Sequence, residues 1–210
     1  MQSSTHQSLL NCRKCRRLAN QLKRLRDYHP EYWNLPVPGT GSAEAAILIV
    51  GLAPGLHGAN RTGVPFVGDD SGKLLHETLV ELNLIGQVSI TNAVKCLPIK
   101  NLPSSLEVKN CAKYLVYELE RHLQNTHPVV FALGGLAHRA VIAALALRQN
   151  DYPFGHGAVH LLPDMSLVSS YHCSRYNTHT GRLTPEMFKT ALAKAKALSQ
   201  MALSGNLSDV

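Results

Sequence analysis

The sequence contains no apolar run long enough to span a membrane, and its N-terminus has no apolar core of the kind found in secretory signals. We therefore expect a protein that remains in the cytoplasm. The sequence also lacks internal repeats, the Lys-Ser/Thr ending of a P-loop and the glycine fingerprint of dinucleotide-binding folds. These absences argue against a membrane protein, a repeat array and an enzyme that needs a nucleotide cofactor.

Acidic residues are few, with 14 Asp and Glu against 21 Lys and Arg in 210 residues. Charged residues make up 17% and hydrophobic residues 45% of the chain, which is typical of one folded domain over 1–210. A local positive field attracts phosphate backbones, although on charge alone the basic N-terminal stretch is equally typical of a solvated helix face. That stretch contains Arg13, Lys14, Arg16, Arg17, Lys23, Arg24 and Arg26.

Short apolar runs alternate with stretches of helical spacing. The runs at 45–50, 88–93, 129–133 and 166–170 predict buried strands. Helices are predicted around Leu74 to Leu82, from a Ser104/Glu107 capping box, over 135–147, and after Thr184. This alternation predicts an α/β fold in which helices cover both faces of a parallel sheet, with a ligand site beyond the carboxyl ends of the strands. We expect a basic segment and connector over 1–41 and a frayed tail over 199–210.

Four cysteines are spaced as ligands of a metal or cluster. Cys12 and Cys15 form a Cys-x-x-Cys pair, Cys96 follows the second strand, and Cys111 lies in the capped helix. In a reducing compartment such cysteines more often hold a metal or a cluster than form disulfides. Zinc and an iron–sulfur cluster both fit this spacing. Cys173 stands apart and is interpreted as a small, partly buried hydrophobe.

Two segments at predicted strand ends carry the remaining chemistry. A glycine-rich loop from Gly51 to Gly63 permits close backbone approach to a flat ligand or a phosphate. It continues through Phe66, Asp69 and Asp70, which add an aromatic ring and two carboxylates. The second segment follows the last strand and begins at His172.

These segments resemble the type-5 uracil-DNA glycosylases, and the resemblance extends from Cys12 to about Leu198. It rests on Gly51-Leu-Ala-Pro-Gly55, His57-Gly-Ala-Asn-Arg-Thr-Gly63, Phe66-x-Gly-Asp69 and His172-x-Ser-x-x-Asn-Thr-x-Thr-Gly-Arg-Leu183. It implies a three-layer α/β/α sandwich with a central four-stranded parallel sheet. It also implies a structural 4Fe–4S cluster on Cys12, Cys15, Cys96 and Cys111, uracil-containing DNA as the partner, and a monomeric enzyme.

The implied reaction breaks a base–sugar bond, so negative charge develops on the departing uracil and the sugar becomes oxocarbenium-like. By the resemblance, His172 donates to the uracil oxygen, and Asp69 orients the water or stabilises the sugar. Asp69 is also a candidate cap for the Leu74 helix, with Asp70 as a competitor for either role. Asn101 matches a position that assists the water, although asparagine before Leu-Pro is also common in turns.

Recognition of the base is assigned to residues of the first loop and the second strand. Gly51 and His57 belong to the loop that contacts substrate, and Phe66 is expected to stack on the flipped base. Asn92, in Thr91-Asn-Ala-Val-Lys-Cys96, resembles the asparagine that type-4 enzymes use for uracil, and it predicts firmer selectivity for uracil. The expected phosphate contacts are Arg61, Ser174, Arg175 and Arg182.

Three other functions are compatible with parts of this pattern. One is a glycosylase that acts mainly on deaminated purines such as hypoxanthine. Another is a non-catalytic nucleic-acid-binding module with a four-cysteine zinc site, which leaves the Asp69 and His172 motifs unexplained. The third is an electron carrier. The matched motifs contain no well-placed lysine nucleophile, so we expect a monofunctional glycosylase without lyase activity.

Overall fold

The computed structural model describes residues 2–201. These residues form one sheet of five strands, eight α-helices and two short 3-10 turns. The strands are β1 (Ile47–Gly51), β2 (Val88–Asn92), β3 (Val129–Leu133), β4 (Val159–Leu161) and β5 (Ser166–Ser170). The helices are α1 (Gln2–Leu10), α2 (Arg16–Tyr28), α3 (Ala59–Thr62), α4 (Asp70–Glu81), α5 (Ser105–His122), α6 (Gly135–Ala144), α7 (Arg175–His179) and α8 (Pro185–Met201).

The sheet has the order β2-β1-β3-β5-β4, in which the first four strands are parallel. The α/β class is therefore confirmed, but the expectation of four strands is wrong. The fifth strand, β4, pairs antiparallel with β5 at the edge of the sheet. It has only three residues, and Val159 and Leu161 are exposed, so no buried apolar run marks it in the sequence.

Helices cover both faces of the sheet, as predicted. Successive side chains of a strand point to opposite faces. Ile47 and Ile49 of β1 pack with α4 and α8 on one face, and Leu48 and Val50 pack with α5 and α6 on the other. Every residue of β1 and β3 is buried, which explains why both strands are continuous apolar runs.

Local signals fix the helix ends. The predicted capping box is present, because Ser104 Oγ accepts from Glu107 N and the Glu107 carboxylate accepts from Ser104 N. Thr184 Oγ1 likewise accepts from Met187 N at the start of α8. Helix α6 ends before its predicted limit of 147, because Ala146 adopts a left-handed φ of 57°.

The basic N-terminal stretch contains two helices that pack on the domain through a small apolar cluster. Leu9 of α1 and Leu18 of α2 are buried there against Tyr114 of α5. At the other end of the chain, α8 continues to Met201 and buries Ser199, so fraying does not begin at residue 199. The rest of the predicted tail, 202–210, lies outside the described residues. In the described part, no helix combines the length and the apolar character needed to cross a membrane.

Candidate active site

A cavity of about 620 Å³ opens beyond the carboxyl ends of the parallel strands. Its walls come from the segments after β1, β3 and β5, from the start of α4, and from the turn that precedes α5. A cavity therefore lies where the sequence predicts a ligand site. Of the sequence-predicted residues, Asp69, Asn101, His172, His57, Phe66, Asn92, Ser174 and Arg182 line this cavity.

Phe66 and Asn92 line one corner of the cavity, and both side chains approach Gly51 of β1. Asn92 ends β2 opposite Gly51 of β1 and is buried, with only 3% of its surface exposed. A Cβ atom on Gly51 would lie 2.4 Å from Asn92 Oδ1 and 2.6 Å from Phe66 Cε2. Glycine is therefore required where these two side chains approach the strand end. Asn92 lines the cavity, where its carboxamide can be reached by a ligand.

Asp69 both caps a helix and faces the cavity. Its Oδ1 accepts a hydrogen bond from Gly72 N at 2.9 Å, so the capping role is present. Its Oδ2 points towards the glycine-rich loop, where a Cβ on Gly58 would lie 2.1 Å away and one on Gly55 3.3 Å away. One carboxylate oxygen of Asp69 therefore caps α4, and the other is directed to the loop that lines the cavity.

His172 follows β5 and lines the cavity, where it is partly exposed. Desolvation by burial lowers the pKa of His172, and the nearby charge of Asp69 opposes this shift only in part. The imidazole is therefore neutral near pH 7. Its Nδ1 is buried without a hydrogen-bond partner among the described residues. The Phe66 and His172 ring centroids are 6.0 Å apart, which leaves the two rings side by side at one site.

Asn101 lies in a strained turn at the cavity edge. Lys100 and Asn101 have φ values of 55° and 58°, which non-glycine residues rarely adopt. Such strain is most often found where the backbone position serves a function. Ser174 caps α7, and the Arg182 guanidinium lies 4.6 Å from the centre of the Tyr171 ring.

His57 is exposed and stands at the mouth of the cavity. Its Nδ1 lies 2.9 Å from the Tyr32 hydroxyl, which connects the loop after β1 to the segment after α2. The other two predicted phosphate contacts do not line the cavity. Arg61 donates to Gly68 O at 2.8 Å and braces the loop, while Arg175 lies 3.8 Å from Asp70 at the protein surface.

Several residues of the cavity wall were not predicted, and four of them contribute side chains of interest. Phe154 and Tyr171 contribute aromatic faces, with ring centroids 6.1 Å apart, and Leu136 is a half-exposed apolar residue at the start of α6. Asn177 belongs to the His172 motif and donates to His172 O at 2.8 Å. Only Asn177 and Tyr171 had a sequence signal, namely their proximity to His172.

The four candidate ligands Cys12, Cys15, Cys96 and Cys111 line a second, much smaller cavity between α2, α5 and the segment after β2. All four are free thiols. Lys95 N donates to Cys111 Sγ at 3.3 Å, and Asn110 Nδ2 donates to Cys15 Sγ at 3.6 Å. In residues 2–201, no group of three or more His, Cys, Asp and Glu side chains is arranged to hold a single metal ion.

Burial raises the pKa of the Cys111 thiol to about 11 and also raises the pKa of Cys96, and the neighbouring thiols add to both shifts. This mutual effect indicates that the four sulfurs share one environment. The arrangement is held together by an ion pair, in which Arg17 Nε and Nη2 donate to the Glu107 carboxylate at 2.8 and 2.5 Å. The hydrogen bond from Arg17 lowers the pKa of Glu107, so the pair stays charged.

Comparison with known proteins identifies relatives of this architecture. The family model described as the uracil DNA glycosylase superfamily matches residues 38–196. A type-5 uracil-DNA glycosylase of Thermus thermophilus is 44% identical over 92% of this chain and 96% of its own length. One from Pyrobaculum aerophilum is 40% identical over 90% of this chain and 89% of its own length. A type-4 uracil-DNA glycosylase of Archaeoglobus fulgidus is 40% identical, but over 61% of this chain and 57% of its own length.

Proposed function

The chain belongs to the type-5 family of the uracil DNA glycosylase superfamily, and from this membership we propose that it removes uracil from DNA by hydrolysing the N-glycosidic bond. The main support for the proposal is that Asp69, Asn92 and His172 line one cavity, although they come from three separate elements. Base-excising enzymes turn the target nucleotide out of the stack, and a cavity of about 620 Å³ offers a place for the flipped base.

His172 is proposed as the group that stabilises the departing base. Because burial keeps its imidazole neutral, the ring donates a hydrogen bond to the uracil oxygen as negative charge develops there. His172 is only partly exposed on the cavity wall, and low exposure to water strengthens a hydrogen bond to a developing charge. Asn177 holds the backbone carbonyl of His172 and so orients the residue.

Asp69 is proposed to act on the sugar side of the bond. Gly72 N fixes one carboxylate oxygen, and the other faces the loop at Gly55 and Gly58. That oxygen is suited to stabilise the cationic sugar or to orient the attacking water. Asn101, at the cavity edge, is proposed to assist in positioning the same water.

The base itself is proposed to lie between Phe66 and Asn92. The phenyl ring offers a flat face to a planar base, and the carboxamide can both donate to and accept from the uracil edge. Ser174 and Arg182, at the cavity edge, are proposed to contact the flanking phosphates, with Arg61 and Arg175 further out on the surface.

A structural 4Fe–4S cluster on Cys12, Cys15, Cys96 and Cys111 is the second part of the proposal. Four thiols around one cavity match the donor set of such a cluster, and N–H donors to two of the sulfurs are typical of these sites. When bound, the cluster would cross-link α2 to α5 and take no part in bond cleavage.

The activity is tested with labelled duplex DNA that contains one uracil opposite guanine, incubated with the protein and then treated with alkali. Cleavage at the uracil position is expected, and its absence would contradict the proposal. The same duplex with hypoxanthine in place of uracil tests the deaminated-purine alternative, which predicts faster release of hypoxanthine. Full activity in His172→Ala or Asp69→Ala would refute the role given to that residue.

The cluster is tested on protein purified without exposure to air. A brown solution that contains iron and acid-labile sulfide in equal amounts is expected, and a colourless protein with zinc would refute the assignment. Cys96→Ser should lower the iron content, whereas Cys173→Ser, which alters a thiol buried elsewhere in the core, should not.

A further inference from the structure

Three aromatic residues lie close together in the sequence where α2 ends, Tyr28 as its last residue and His29 and Tyr32 just after it, and we call them the aromatic cluster. Tyr28 is 77% exposed, so its ring contributes little to the stability of the core. The His29 and Tyr32 rings are stacked, with centroids 4.5 Å apart and an angle of 18° between their planes. The exposed Tyr28 ring, which precedes the stacked pair in the chain, offers a flat apolar face to a partner.

The aromatic cluster is joined to the active-site cavity through His57. The Tyr32 hydroxyl lies 2.9 Å from His57 Nδ1, and the His29 ring meets the His57 ring edge-on at 6.2 Å between centroids. His57 lines the cavity and is itself exposed. A ligand that leaves the cavity on this side therefore meets the aromatic cluster next.

The helix that leads to the cluster is strongly basic on its exposed side. Residues 13–31 contain seven lysines and arginines but only two carboxylates, Asp27 and Glu31. Arg24 precedes Tyr28 by one helical turn, so both lie on the same side of α2. Within residues 2–201 neither Lys23 nor Arg24 forms an ion pair or a side-chain hydrogen bond. These cations are available to an external anion.

We propose that the exposed cations of α2 and the aromatic cluster bind the lesion-carrying DNA strand beyond the flipped nucleotide, in single-stranded form. In a single strand the phosphates can bind the cations of α2 while an unpaired base stacks on the Tyr28 ring. In a duplex the bases are stacked and paired, so none offers a free face to Tyr28. The inference rests on the proposed function, because it extends the same DNA strand out of the active-site cavity.

The test uses a nested set of single-stranded oligonucleotides that share one uracil and differ in the number of nucleotides on its 5′ or 3′ side. For the unmodified protein, KM for uracil release should fall as the strand grows on one side. Tyr28→Ala should remove about tenfold of that gain, since one base–aromatic stack contributes at this level. Tyr28→Trp should retain it. Lys23→Gln/Arg24→Gln should reduce both the gain and its dependence on salt.

The matched control is Arg148→Gln. Arg148 is exposed, with 83% of its side chain accessible, but it follows α6, which begins at the cavity and runs to the other end of the sheet. This variant should keep the full dependence on strand length. If the unmodified protein releases no uracil, the proposed function fails. If it releases uracil while Tyr28→Ala keeps the whole gain, or if the gain appears only with duplex DNA, the further inference fails.

Discussion

Asp69 has two separable roles, because one carboxylate oxygen caps α4 and the other faces the cavity. Asparagine caps helices about as well as aspartate, but it carries no charge. Asp69→Asn is therefore expected to leave the free energy of unfolding nearly unchanged while it lowers the rate of uracil release by about 10²-fold or more. Asp69→Ala should lose activity and also about 1 kcal/mol of stability.

Asp70→Asn is the control for this experiment, because Asp70 is exposed and lies 3.8 Å from Arg175 rather than in the cavity. Denaturant unfolding measures the stability of each variant, and single-turnover excision measures the chemical step. A wild-type rate in Asp69→Asn would show that the carboxylate is needed only as a cap.

Asn92 is expected to decide which base the enzyme prefers. Asn92 is buried at the end of β2 and lines the cavity. Asn92→Ala should lower kcat/KM for uracil by about tenfold, as expected for one buried hydrogen bond to the substrate. Release of hypoxanthine should change less, because a purine presents a different edge. An unchanged ratio of the two activities would remove Asn92 from base recognition.

At the scale of elements, Lys95 connects β2, α5 and the cysteine site. Its side chain is fully buried, and its ammonium lies 2.6 Å from Glu118 Oε2 and 2.5 Å from Thr91 Oγ1. Its backbone N–H donates to Cys111. Glycine at position 39 is needed beside this pair, since a Cβ there would lie 2.9 Å from Glu118 Oε1.

Lys95→Met should lower the free energy of unfolding by about 2–3 kcal/mol, because it leaves Glu118 without its cation. The loss should be smaller than for a fully buried pair, since 22% of the Glu118 side chain is exposed. The double variant Lys95→Met/Glu118→Met should recover much of the loss, as measured by urea unfolding. Strictly additive losses would mean that the two groups do not stabilise each other.

Buried strands were the elements that the sequence predicted best. β1 and β3 are continuous apolar runs because helices cover both of their faces, and β2 and β5 each contain a shorter apolar pattern. All four were predicted to within two residues. β4 was missed because its stability comes from pairing with β5 rather than from apolar burial. The α2 helix was predicted only as one of two interpretations of the basic stretch, because its many cations are equally typical of a phosphate-binding surface. Leu18 and Leu22, which recur at helical spacing, are buried.

At the scale of the whole molecule, motif residues of the cavity were predictable, whereas its aromatic wall was not. Asp69 and His172 lie in segments with unusual composition at strand ends, so chemistry and topology both indicated them. Phe154 has neither signal and reaches the cavity only because the segment before β4 folds back beside Tyr171. The contact from Tyr32 to His57 likewise depends on how α2 is packed, which no local pattern encodes.

The fold as a whole is expected to lose stability in mild acid, because burial lowers the pKa of four histidines. They are His122, His138, His156 and His172. In the folded chain the pKa of each lies below the ordinary value of 6.5, so each binds its proton more weakly than in the unfolded chain. Below about pH 6.5 the unfolded chain takes up more protons than the folded chain, so the free energy of unfolding falls as the pH drops. Above that pH these histidines are neutral in both states and do not change the stability.

His122→Gln tests this expectation at one site. His122 is buried, and its Nε2 donates to Val129 O at 3.0 Å, a hydrogen bond that the glutamine amide can replace without gaining a proton. Urea unfolding at a series of pH values between 5 and 7.5 should show a shallower acid loss for this variant than for the unmodified protein. His76→Gln, on the exposed side of α4, should leave the slope unchanged. A free energy of unfolding that stays constant across this range would show that the buried histidines do not control the stability. If His122→Gln and the unmodified protein have the same slope, the acid loss comes from His138, His156 and His172 instead.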